Sequence, residues 1–107
     1  MRKYTSDESG STALGQGGSV FIDTADQDIT APTGSVFVAV TIISDAKFND
    51  LIQEDNTQFM GTAGSAATDG PPGYIITNSD EFPAGITIYG RWTTIDIDAG
   101  SVVAYLG

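Results

Sequence analysis

Cysteine and histidine are absent from this 107-residue chain, and lysine and arginine together number only four. Without histidine or cysteine, the Ser–His and Cys–His arrangements of nucleophilic catalysis cannot be built. Zinc and most transition metals lose their usual ligands for the same reason. Disulfides cannot staple the fold, so packing, a hard cation or assembly must hold it. The scarce cations are also badly spread. Arg2 and Lys3 stand at the extreme N-terminus, leaving Lys47 and Arg91 to face all 14 acidic residues, within a formal net charge of −10. Nucleic acid and anionic membrane surfaces are both repelled by such a chain, so neither is expected as a partner. The plain consequence of the acidity is solubility.

Long apolar runs are missing too. The longest, from Val36 to Ile43, is interrupted by Thr41 and is far too short to span a bilayer. Met1-Arg2-Lys3 is followed by polar residues, without the apolar segment of a signal peptide, so synthesis in a cytoplasm without processing is expected. Neither a G-x-G-x-x-G nor a G-x-x-x-x-G-K-[ST] loop occurs, which removes support for nucleotide binding. A pair of carboxylates for glycoside hydrolysis needs a deep cleft that one small domain seldom encloses. No enzyme activity and no cofactor are expected.

What is present is enough apolar material for one core: 40% of residues are hydrophobic and 17% charged. Residues 1–18 (MRKYTSDESGSTALGQGG) are small and polar apart from Tyr4 and Leu14, and read as a flexible N-terminal arm. Residues 19–107 read as a single β domain. Val20-Phe21-Ile22 begins it, and Ser35 to Ser44 (SVFVAVTIIS) forms its strongest strand. Six β-branched residues among the ten from 34 to 43 argue against a helix there. Asp45 to Asp55 is ambiguous between a helical turn and a strand, and its β surroundings favour the strand. Gly61 to Gly73 reads as a long loop, and Tyr74-Ile75-Ile76 as a short strand. Phe82 to Gly85 makes a turn. Ile95 and Ile97 then alternate inward against outward Asp96 and Asp98, and Ala99-Gly100 is expected to reverse the chain into Ser101–Leu106. Short strands separated by Gly, Pro and Asp turns point to an all-β fold, a small antiparallel β-sandwich or a jelly-roll-like barrel.

Three groups of residues invite function. Asp23, Asp26 and Asp28 crowd a turn-rich segment and are weak calcium candidates, because hard oxygen ligands on loops are what that ion takes. A solvated acidic turn is the simpler interpretation. Trp92, with Tyr89 and Tyr105 as companions, suggests stacking against a carbohydrate, although the lone tryptophan of a small β domain more often fills its core. Arg91, almost the only cation after the arm, should pair with a carboxylate across a strand or a subunit boundary.

The stretch from Phe82 to Thr93 (FPAGITIYGRWT), the ending from Ala99 to Gly107 (AGSVVAYLG) and the segment Gly34 to Val40 (GSVFVAV) together resemble the small virion structural proteins of tailed bacteriophages, marine and cyanobacterial ones especially. The resemblance covers the last two-thirds of the chain and leaves out the arm. It implies a non-enzymatic virion structural protein: a capsid decoration (cement) protein that binds the major capsid protein and stabilises the head shell. It also implies a homotrimer located on the capsid surface and made in the host cytoplasm. Read from the residues themselves, the candidate interface residues are Arg2, Lys3, Tyr4 and Leu14 on the arm, with Tyr89, Arg91 and Trp92 on the domain. The alternative is a fibre or tail-tip module recognising host-surface glycans through Trp92, Tyr89 and the 61–73 loop.

Overall fold

The structure, a computed structural model, describes residues 17–107. Four strands build it: β1 (Ser19–Ile22), β2 (Ile29–Thr30), β3 (Phe37–Gln53) and β4 (Thr87–Leu106). The domain is all-β and antiparallel, as its composition foretells. The arm residues Arg2, Lys3, Tyr4 and Leu14 lie outside the described residues. Gly18, placed at the end of the expected arm, already belongs to the sheet edge, since its carbonyl accepts from the Leu106 amide at 2.8 Å.

Several short strands were expected, but β3 and β4 run for 17 and 20 residues, well beyond the roughly 3–10 that is usual. Two local features explain the difference. Asp45-Ala46-Lys47 bends β3 without breaking it, and the register against β4 slips between Ile42 and Lys47. Slips of this kind are bulges, which turn a strand sharply while keeping it paired. Gly100 is the matching feature on β4. Its φ of +84° suits glycine, and a Cβ there would run into the backbone of Ser44, Asp45 and Ala46. Ala99-Gly100 therefore does not reverse the chain. Residues 101–106 continue β4 and pair with β1 and the first half of β3.

The register shows how one sheet encloses a core. As β3 rises from Phe37 to Gln53, its partners fall from Leu106 to Trp92. The start of β4 returns along the other edge of β3, so Ala39 lies opposite both Tyr105 and Tyr89, and Thr41 opposite both Val103 and Thr87. One strand can flank both edges of another only if the sheet curls over on itself. Four described strands are also fewer than the eight of a jelly roll. Inside the curl, Phe37, Phe48, Leu51, Trp92, Ile95 and Ile97 are fully buried. Ile95 and Ile97 point inward as their alternation predicts, while Asp98 is exposed.

The segment between β3 and β4 lies against this core. Gln53, 5% exposed, holds it: Nε2 donates to the carbonyls of Phe59 and Ala63, each at 3.0 Å, and Oε1 accepts from the Ala63 amide at 3.0 Å. The Thr62 hydroxyl accepts from the Leu51 amide at 2.8 Å. Tyr74-Ile75-Ile76, expected as a strand, is not one: its link to the rest is a bond from the Ile76 amide to the Gly61 carbonyl at 2.9 Å. The neighbouring chain at Gly61 is itself a loop, so no ladder can grow. Phe82 bridges Ala46 and sets its ring edge-on to Phe48 at 5.3 Å.

Candidate functional site

In the first half of β3 and the last part of β4, strand alternation sends Val40, Ile42 and Val102 into the core and Thr41, Val103 and Tyr105 outward. An outward face toward water should be polar. Here the outer face of β1, β3 and both ends of β4 carries Phe21, Val103, Tyr105 and Tyr89 beside Ser19, Ala39, Thr41 and Thr87. Phe21 is 62% and Tyr89 60% exposed, and Ile43 on the same side is 51% exposed. The hydroxyls of Thr41 and Thr87, 2.9 Å apart, mark their shared outward row. No described residue in these rows is charged, although the chain holds 14 acids.

Of the domain residues singled out from sequence, Tyr89 is on this surface and Trp92 is not. Trp92 is fully buried, and its Nε1 donates to the Met60 carbonyl at 2.8 Å. Its ring packs over Gly90, where any Cβ would collide with it. The expectation that Trp92 presents a stacking surface is thus corrected: its size and single donor are used up inside the fold. Arg91 on β4 does pair with a carboxylate, that of Glu54 just past the end of β3: Nε to Oε1 is 2.6 Å, beside a backbone bond from the Glu54 amide to the Arg91 carbonyl at 2.8 Å. The guanidinium holds the Glu54 carboxyl below the usual carboxylate range, chiefly through that hydrogen bond. Both partners are about half exposed, so the pair orders the surface more than it stabilises it.

Among the described residues, the most exposed large apolar one is elsewhere. Tyr74, 79% exposed, follows Pro71-Pro72-Gly73 on the long loop. That loop is ordered by its own bonds, the Ala67 amide to the Gly73 carbonyl at 2.9 Å and the Gly73 amide to the Gly70 carbonyl at 3.0 Å. An aromatic side chain on a tied-down loop is the kind of anchor that protein interfaces use. Sequence reasoning placed Tyr74 in a strand and so missed it; the Pro-Pro-Gly preceding it was the available signal.

The acidic residues regroup. Asp23 accepts from the neighbouring Thr24 hydroxyl at 3.4 Å, and Asp26 accepts from Asn49 Nδ2 at 2.8 Å. Asp28 instead meets Asp50 and Asp96, with one carboxylate oxygen from each within 4.8 Å of the others. The expected trio Asp23, Asp26 and Asp28 is therefore not a cluster, because the turn splays its side chains. Asp50 was missed, and only the register, which sets it directly opposite Asp96, identifies it. Burial pushes the Asp96 carboxyl above its usual range, and the nearby Asp28 and Asp50 add to the rise, while a bond from Asn49 opposes it. Its Oδ1 is buried without a hydrogen-bond partner. Three carboxylates are the donor type a hard cation takes, but fall short of the six to eight oxygens that calcium prefers. They are equally suited to sharing a proton.

The chain matches none of the protein-family models, curated proteins or solved structures with which it was compared.

Proposed function

We propose that this chain is a non-enzymatic virion structural protein, a decoration or cement protein that binds the head shell of a tailed bacteriophage and stabilises it. The observation that carries the proposal is Tyr74, held out at 79% exposure on an internally bonded loop. Burying an aromatic anchor against a partner gives binding strength without chemistry. The resemblance of residues 82–93 and 99–107 to small phage virion proteins supplies the class of partner, the major capsid protein. Arg2 and Lys3, two of the chain's four basic residues, fit a second contact through the arm, beside Tyr4 and Leu14. Copies arranged as a homotrimer would add burial that a small core lacks.

Co-sedimentation of the full chain with phage heads stripped of it tests this reading. The wild-type chain should pellet with the heads. Tyr74→Asp should weaken pelleting about tenfold or more, and removal of residues 1–16, which spares the Gly18 bond to Leu106, should do the same while the domain stays folded. A wild-type chain that stays in the supernatant would contradict the proposal. The alternative, a fibre or tail-tip module for host glycans, draws on the exposed rings of Tyr74 and Tyr89 alone, since Trp92 offers no surface. Glycan-array binding lost on Tyr74→Ala, without head binding, would favour it.

A further inference from the structure

We propose that the N-terminal arm docks back on its own domain, with Tyr4 seated in a cavity between β1 and β2 and with Arg2 and Lys3 against the acidic turn beside it. The docking needs no shell, and it stands whether or not the chain binds one.

The seat lies where β1 ends. Phe21, Ile22, Asp23, Thr24, Gln27 and Ile29 line a cavity of about 150 Å³. Phe21 is its open wall, exposed to water, while Ile22 is buried and Ile29 packs against the core. Small-molecule sites run to roughly 300–1,000 Å³, so this one suits a single inserted side chain. An aromatic ring is the best occupant, because it covers Phe21 and adds a ring–ring contact. Asp23 stands at the mouth, and Asp26 and Asp28 follow on the same turn. The Thr24 hydroxyl reaches Asp23 at 3.4 Å, longer than the roughly 2.5–3.0 Å of a well-made bond between oxygens. A cation is therefore welcome there.

Length and charge select the arm's tip. The described chain begins at Gly17, which lies against Leu106. From Gly17 to Ile22 the extended chain covers about 17 Å. Leu14, close before Gly17, reaches only about 10 Å and falls short. A Gly- and Ser-rich stretch as long as Tyr4 to Gly17 has a root-mean-square span of about 20 Å. That nearly equals the distance to the seat, the condition under which a tethered group attains its highest effective concentration, on the order of mM. The reversal falls on Gly15-Gln16-Gly17-Gly18, where Gly18 has a φ of +113°. Arg2 and Lys3 are two of the chain's four cations, and Arg91 is already paired with Glu54. The acids of the turn attract this tip and repel Asp7 and Glu8, further along the arm. Shell attachment through the same residues has to draw the arm off this seat.

Because the chain has no cysteine, a nitroxide on Ser6→Cys reports the arm alone. Nuclear magnetic resonance is run on the full chain at about 50 μM, far below the mM effective concentration of the tether. The amides of Asp23, Thr24 and Gln27 should be broadened. That broadening should be lost in Tyr4→Ser, and also when Arg2→Glu is combined with Lys3→Glu. Asp23→Lys should weaken it too, with circular dichroism checking the fold; the arm substitutions decide the matter if that variant does not fold. Nitroxide-bearing chains mixed with isotope-labelled chains that lack the nitroxide should transfer none of the broadening, since each arm serves its own domain. Absence of broadening overturns the proposal. So does broadening that survives either arm substitution, or broadening that passes between chains, which would put the arm on a second copy.

Discussion

The single tryptophan shows how one side chain can be read two ways and used only one. Trp92 fills the core and donates its only hydrogen to Met60, tying the connecting segment to β4. Trp92→Phe removes that donor and leaves a small void. It should cost about 2–4 kcal/mol, from a lost buried hydrogen bond plus a cavity, read as a lower urea midpoint with an unchanged slope. Asp96 carries the opposite sign. Its carboxyl is raised by burial and by Asp28 and Asp50, so between its ordinary and its raised value the folded state holds a proton that the unfolded chain releases. Such a group opposes folding at neutral pH, and the penalty fades as pH falls through its raised value. Asp96→Asn should therefore raise the melting temperature at pH 7, with the gain shrinking as the pH is lowered toward the ordinary carboxylate range. A lower melting temperature for the variant at pH 7, reproduced in wild type by EDTA, would instead mean that the three carboxylates hold a cation.

Among the elements, the strand-forming parts were the most legible. The β-branched run from Val36 to Ile43, nearly all of it in β3, and the alternation at Ile95 and Ile97 follow from side-chain shape and period, whereas residues 45–55 are ambiguous by period and only their β surroundings favour the strand that runs to Gln53. The failures are of another kind. Ala99-Gly100 looks like a hairpin turn in sequence, yet Gly100 serves a bulge opposite Ser44–Lys47, and only the long-range partner distinguishes the two uses. Asp50 is invisible as a site residue for the same reason: its meeting with Asp96 is a matter of register across 46 residues of sequence. Gln53 is a further instance, a polar residue at the end of β3 that turns inward to hold the backbone of Phe59 and Ala63. Gln53→Ala leaves two carbonyls and an amide without those partners, at about 1–3 kcal/mol for each group that water cannot reach. Hydrogen exchange should show the Ala63 amide losing protection first, while the amides of β4 at Ile95 and Ile97 keep theirs.

At the scale of the whole molecule, a curled sheet gives a small chain a closed core without disulfides, and two outward rows across β1, β3 and the ends of β4 carry no charge. The lopsided charge was plain from composition, but where the chain withholds charge was not, since the outward rows combine residues from positions 19 to 105. Tyr74 on its loop is the surface proposed for the shell. Electron cryomicroscopy of intact virions whose genome encodes this chain tests that claim most directly. The account predicts density for the β domain at regular positions on the head shell, with the Tyr74 loop turned toward the capsid. Its absence from the particle, or its presence only at a fibre tip, would contradict the proposal.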